Sequence, residues 1–204
     1  MKNLLAGLSI IILLAACSQV LVQPIQPVQP VMPPNPYPEV VFETSLGSFV
    51  VQLDRQRAPL TVNNFLHYVD SGFYNGTVFH RVVPGFVIQG GGFTTAYVEK
   101  KTGAPIPNES GNGLSNLRAT IAMAREDDPH SATAQFYINL VDNRKLDPRT
   151  DRWGYAVFGQ VVQGMNVVDK IAAVPTGKVG SFDTDAPITP VVILKAMVLK
   201  QFLD

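Results

Sequence analysis

The sequence predicts a mainly β domain of antiparallel strands with two α-helices. Three observations carry that prediction. Short apolar segments of strand length recur near 78–83, 86–89, 119–124, 135–140, 155–162 and 191–199. The stretch VVFETSLGSFVVQL, residues 40–53, reads as two more such segments around Leu46-Gly47, a hairpin signal. Helical periodicity is clear in only two places, 59–71 and 164–173. Many short strands with two helices suggest an antiparallel barrel with a helix packed over each end. Periodicity alone does not separate a barrel from a sandwich.

Taken in order, the hairpin at 40–53 is followed by the first helix. Pro59 suits a first helical turn, and Val62, Phe65, Leu66 and Val69 form an apolar stripe at i, i+3, i+4 and i+7. Gly72 suits the C-terminal cap. Next comes YNGTVFHRVVPGFVIQGG, residues 74–91, the most informative segment of the chain. Its Pro84-Gly85 turn folds two strands back to back. Arg81 and Gln89 stand among Phe79, Val83, Phe86, Val87 and Ile88, and a positive charge inside such an apolar run is usually paired or working. One face then presents a guanidinium, a phenyl ring and a carboxamide. That set suits a neutral, partly apolar ligand with carbonyl oxygens to grip, such as a peptide. The second helix places Met165, Val168, Ile171 and Ala172 on one face.

The 74–91 segment resembles the signature of the cyclophilins, the peptidyl-prolyl cis-trans isomerases. Tyr74, Thr77, Phe79, His80, Arg81, Phe86, Gln89 and Gly91 fall on its pattern positions. Further blocks follow in the family's order: ATIAMA at 119–124, SATAQFYI at 131–138 and YAVFGQVVQGMNVVDKI at 155–171. The resemblance spans about residues 39–202 and is strongest to the bacterial branch. It implies a closed eight-stranded antiparallel β-barrel capped by two α-helices. Such a barrel is filled with side chains, so a binding site must lie on its outer face.

The N-terminus reads as an export and anchoring device. Lys2 opens a positive region, and residues 4–14 are an apolar stretch too short to span a bilayer as a helix. Leu14-Ala15-Ala16-Cys17 looks like a bacterial lipobox, so residues 1–16 are expected to be a lipoprotein signal peptide and Cys17 the lipid-bearing first residue. An ordinary secretory signal with an incidental Cys17 is the plainer alternative. Cys17 is the sole cysteine, so disulfides, cysteine-based zinc sites and thiol catalysis are excluded from the folded domain. Residues 17–38 form a linker with seven prolines, of which Pro24, Pro27, Pro30, Pro33 and Pro36 recur every third residue. Three residues is the polyproline II turn, so the linker is expected to be a semi-rigid spacer of roughly 60 Å when fully extended. Recruitment of a proline-recognising partner is the sharper alternative. The isomerase domain is expected over 39–204.

Sixteen Lys and Arg balance sixteen Asp and Glu, and no basic stripe appears. Nucleic-acid binding therefore has no electrostatic basis, and the expected membrane link is lipid on Cys17. One acyl chain binds only marginally, so stable anchoring needs more than one. The expected location is the cell envelope: the outer membrane facing the periplasm in a Gram-negative cell, or the outer face of the plasma membrane otherwise. Nothing suggests more than a monomer.

The implied chemistry is a bond rotation. Resonance opposes rotation about an amide C–N bond by about 18–20 kcal/mol. A catalyst must favour the twisted amide over both planar forms, and no nucleophile, metal or cofactor is required. In related cyclophilins the arginine matching Arg81 bonds the prolyl carbonyl and faces the prolyl nitrogen, so the resemblance implies a catalytic Arg81. By the same resemblance Phe86, Val87, Tyr137 and Leu146 wall a proline pocket, with Gln135 at its edge and Tyr155 beside it. Gln89 bonds a substrate carbonyl and orients Arg81. The backbone around Ala124-Arg125-Glu126 pairs with the peptide before the proline. The chain departs from the family at several positions. Val87 replaces a common methionine, Tyr137 a common phenylalanine, and Tyr155 the histidine of animal members. Lys145 replaces an aromatic that contributes to cyclosporin binding, so weak cyclosporin binding is expected. Trp153, nearby in sequence, is a candidate to cover part of that gap.

Blander readings stand beside these. Arg81 alone would suit a surface ion pair, and Phe86, Tyr137 and Leu146 could be core. His67, His80 and His130 are too scattered for a metal site; His80 reads as buried and structural. Glu126-Asp127-Asp128 lacks the spacing of a calcium loop. Gly90-Gly91-Gly92 lacks the Gly-Lys-Ser/Thr of a phosphate loop. Two function classes follow: an isomerase acting on proline-containing exported proteins, or a non-catalytic peptide-binding, holdase or adhesion module on the same surface. The presence of Arg81, Phe86 and Gln89 favours the first.

Overall fold

The computed structural model describes residues 35–199. The expected signal peptide, Cys17 and the linker up to residue 34 lie outside the described residues. Among the described residues ten strands and two α-helices follow in chain order: β1 (Glu39–Thr44), β2 (Gly47–Leu53), α1 (Pro59–Asp70), β3 (Thr77–Val83), β4 (Val87–Thr94), β5 (Thr120–Met123), β6 (Phe136–Asn139), β7 (Val157–Gln163), α2 (Met165–Ala172), β8 (Thr176–Val179), β9 (Phe182–Pro187) and β10 (Val192–Val198). A 3-10 turn, Arg144–Leu146, precedes β7. Eight strands close a barrel in the order β1-β10-β3-β4-β6-β5-β7-β2, and neighbouring strands pair antiparallel. This decides barrel over sandwich. The two remaining strands, β8 and β9, form a separate hairpin that periodicity did not predict.

Strand register separates core from surface. Val82 faces Ile88, Ile88 faces Ile138, and Ile138 faces Ile121; all four are fully buried in the barrel interior. One residue along each strand the pleat reverses. There Arg81 faces Gln89, Gln89 faces Tyr137, Tyr137 faces Ala122, and Ala122 faces Val157. This second row lies on the outer wall. Its apolar members join Val87, with Phe86, Leu114, Ala124, Leu146 and Tyr155 packed against them, in a cluster separate from the main core.

Aromatic rings dominate the interior. Phe42 stacks on Phe49 at 5.0 Å, and Phe65 of α1 meets Phe158 at 5.0 Å and Phe136 edge-on at 5.8 Å. Tyr74 is fully buried and donates its hydroxyl to the Ala134 carbonyl at 2.8 Å. Helix α2 contributes Val167, Val168 and Ile171 to this core, with Met165 and Ala172 of the expected stripe only partly buried against it. Helix α1 has no side-chain cap of its own. Its free amides are met from a distant loop instead: Glu109 accepts from the Leu60 N–H at 3.1 Å and the Thr61 N–H at 2.8 Å. A carboxylate there also complements the positive end of the helix dipole.

Candidate active site on the barrel wall

Arg81, Phe86, Val87, Gln89, Ala124, Arg125, Tyr137, Leu146 and Tyr155 line one cavity of about 250 Å³. Strands β3 and β4 and the Pro84-Gly85 turn supply the first four. Ala124 and Arg125 follow β5, Tyr137 is on β6, and Leu146 ends the 3-10 turn. Glu126 and Gln135 line an adjoining cavity of about 300 Å³, which shares Gln89, Ala124 and Arg125 with the first. The structure thus gathers every residue singled out for the site, in two neighbouring hollows.

Polar groups are held in a short chain. Arg81 Nη1 donates to Gln89 Oε1 at 3.3 Å, and Gln89 Nε2 donates to Gln135 Oε1 at 3.1 Å. The Arg81 guanidinium carbon lies 5.9 Å from the Phe86 ring centre. Glycines make room for this chain. A Cβ on Gly92 would lie 2.5 Å from Gln135 Cγ. At Gly91, with φ +86°, a Cβ would meet the rings of Tyr74 and Phe136 at 2.8 and 2.9 Å. The triple glycine is therefore a strand shaped for close packing.

Arg125 turns its charge toward backbone. Its Nη1 donates to the Glu126 carbonyl at 2.7 Å, its Nη2 to the Trp153 carbonyl at 3.3 Å, and its guanidinium lies 4.6 Å above the Tyr155 ring. It ties the 125–127 loop to the 153–155 loop across the pocket edge. Trp153 does not cover the space beside Lys145. It meets His130 edge-on at 5.1 Å and lines a different hollow with Gly111 and residues 148–152. Lys145 itself sits 4.8 Å from the Phe86 ring centre.

Behind the pocket lies a buried amide network that sequence reasoning missed. Tyr137 donates its hydroxyl to Asn116 Oδ1 at 2.7 Å, and Asn139 Nδ2 donates to the same oxygen at 3.2 Å. The Asn116 backbone N–H donates to Asp147 Oδ1 at 2.7 Å. Asn143 Nδ2 donates to Asn139 Oδ1 at 2.8 Å and to the Phe86 carbonyl at 2.9 Å. Burial first, then the neighbouring Tyr155 and Asp147, push the Tyr137 hydroxyl well above the usual phenol range. It stays a hydrogen-bond donor, turned into this network. Three asparagines and an aspartate scattered between residues 116 and 147 carry no motif of their own, and the charged residues among them hide any signal they could give.

His80, beside Arg81 on β3, is buried between Phe93 at 4.6 Å and Phe182 of the β8–β9 hairpin at 5.3 Å. Its Nδ1 has no hydrogen-bond partner among the described residues. Burial lowers its pKa to about 4, with the Arg81 charge acting in the same direction and the Val78 backbone opposing.

The closed barrel with a guanidinium, phenyl and carboxamide on its outer wall defines a cyclophilin-like protein. The family model described as cyclophilin type peptidyl-prolyl cis-trans isomerase matches residues 39–198. Peptidyl-prolyl cis-trans isomerase A of Dickeya dadantii is 52% identical over 162 residues, covering 79% of this chain and 85% of that protein. Peptidyl-prolyl cis-trans isomerase B of Escherichia coli is 52% identical over 157 residues, covering 76% and 95%. Among solved structures, a Cryptosporidium parvum cyclophilin type isomerase, crystallised in the presence of the dipeptide Ala-Pro, aligns with a TM-score of 0.69 at 25% identity, over 80% of this chain and 99% of that one. The chain belongs to the cyclophilin-type peptidyl-prolyl cis-trans isomerase family. Its activity is that of the family, rotation about X–Pro peptide bonds.

Proposed function

We propose that Arg81 is the catalytic residue of this isomerase and that its clients are proline-containing polypeptides exported to the cell envelope. The observation that carries the reading is the Arg81 guanidinium at an apolar cavity, hydrogen-bonded to Gln89. The proline ring enters between Phe86, Val87, Tyr137 and Leu146. As the amide twists, its nitrogen pyramidalises and gains a lone pair. A permanently charged, planar donor beside that nitrogen and the prolyl carbonyl favours the twisted form over either planar one. A ten-thousand-fold acceleration corresponds to about 5.5 kcal/mol, within the range of one ionic contact shielded from water plus orientation by the pocket. Gln89 positions Arg81 and offers its amide to a substrate carbonyl. The Ala124-Arg125-Glu126 backbone pairs with the residues before the proline, and backbone contacts read little sequence.

Lipid on Cys17 and the proline spacer of residues 17–38 hold the domain at the membrane surface. Slow prolyl isomerisation limits folding there, and the reaction needs no ATP. The deciding experiment measures isomerisation of an Ala-Pro-Phe peptide by the wild-type chain and by Arg81→Ala. Activity that falls about 10²–10³-fold in a folded mutant supports the assignment; undiminished activity moves catalysis away from Arg81.

A further inference from the structure

The cavity's rim is electrically divided, and Lys145 marks its positive side. Lys145 Nζ lies 4.8 Å above the Phe86 ring, whose other cationic neighbour is Arg81, with its guanidinium carbon at 5.9 Å. The lysine is exposed, but its backbone is held. The Lys145 carbonyl accepts from Arg152 Nη2. The turn carrying it closes through the Leu146 N–H donating to the Asn143 carbonyl at 2.8 Å, and Asn143 in turn bonds the Phe86 carbonyl. Arg144 precedes Lys145 on the same 3-10 turn.

Two of the nearby acids are engaged elsewhere, and Asp151 stands with Arg149 and Arg152 in the hollow beside Trp153. Asp147 faces inward to Asn116, and Asp142 Oδ1 accepts from the Arg118 N–H at 3.0 Å. Among the described residues the ion pairs are Arg57–Asp54, Arg118–Asp169 and Lys178–Asp183, and Lys145 belongs to none of them. On the opposite side, beyond Arg125, the exposed run Glu126-Asp127-Asp128 is negative.

We infer that Lys145 is a specificity-determining residue, selecting an acidic side chain directly after the proline. The inference rests on the proposed placement of the prolyl carbonyl at Arg81. In that placement the chain leaving the proline passes Phe86 and reaches Lys145, while the chain before it runs along Ala124-Arg125-Glu126. An ammonium over the pocket rim that belongs to no ion pair among the described residues attracts an anionic group and repels a cationic one. Exposure keeps the effect modest and sensitive to salt.

The test follows cis–trans exchange by NMR in Ala-Ala-Pro-Xaa-Ala peptides, with Xaa Glu, Gln or Lys, using the full-length chain. The expected kcat/KM order is Glu above Gln above Lys, with about three- to fivefold between the extremes at low salt. Half-molar salt shrinks that spread. Lys145→Ala removes it, Lys145→Arg keeps it and Lys145→Glu inverts it, each read as the ratio of the Glu to the Lys peptide within one variant. Equal turnover of the three peptides by the wild-type chain overturns the inference and leaves the role of Arg81 standing. So does a Glu preference that persists in Lys145→Glu. Turnover of the peptides that survives Arg81→Ala overturns the placement, and the inference falls with it.

Discussion

Arg81 and His80 are neighbours on one strand with opposite fates. Arg81 faces outward and opposes Gln89 across the β3–β4 pair. His80 is enclosed by Phe93 and Phe182, with Nδ1 unpartnered. Its folded pKa of about 4 lies below the ordinary value of 6.5. Between those values the unfolded chain binds more protons, so stability rises with pH. The contribution is fully present above about pH 6.5, is lost as pH falls from there to 4, and amounts to about 3 kcal/mol at most. Urea midpoints measured from pH 4 to 7 should fall on acidification, and His80→Leu should flatten that slope. Both residues were legible in the sequence. Arg81 stood out as a charge in an apolar run, and His80 had too few metal-ligating neighbours to read as anything but structural. The unpartnered nitrogen was not legible, because it depends on Phe182 from a distant hairpin.

At the scale of the element, the pocket wall depends on what stands behind it. Asn116 is fully buried, accepts from Tyr137 and Asn139, and donates to Asp147. Asn116→Ala strands the buried Tyr137 hydroxyl at about 1–3 kcal/mol, while Asn139 keeps Thr120 and Asp147 keeps the backbone N–H; it should raise KM more than it lowers kcat by loosening Tyr137. Tyr137→Phe should cost only about 0.5–1.5 kcal/mol, since Asn139 still satisfies the Asn116 oxygen. Thermal denaturation with the kinetics of both variants checks the contrast; equal effects would mean the network does not position the wall. The hairpin at 40–53 and both helices were readable from local periodicity. The β8–β9 hairpin was not, because its strands are short, mostly half-buried and broken up by Gly177, Asp183 and Asp185. The Glu109 cap on α1 was equally hidden, since it comes from another loop.

For the whole molecule, the anchor is the feature to test. If Cys17 carries lipid, the wild-type chain should fractionate with membranes, and Cys17→Ser should move it to the soluble fraction without changing peptide turnover. Retention of Cys17→Ser on membranes would overturn lipid anchoring. What the sequence by itself determined is local: the period of each strand, the stripes of the helices, the turns, and the order of motif blocks that identifies the family. Tertiary structure decided how the strands close and in which register. That put Val82, Ile88, Ile138 and Ile121 inside and Arg81, Gln89, Tyr137 and Val157 outside. It also gathered Asn116, Asn139, Asn143 and Asp147 behind the pocket, and left Lys145 over Phe86 with Trp153 turned away. The physical reason is range. A pleat or a helical turn is set by neighbours a few residues away, whereas barrel closure and a buried polar network are satisfied only when segments far apart in the chain meet.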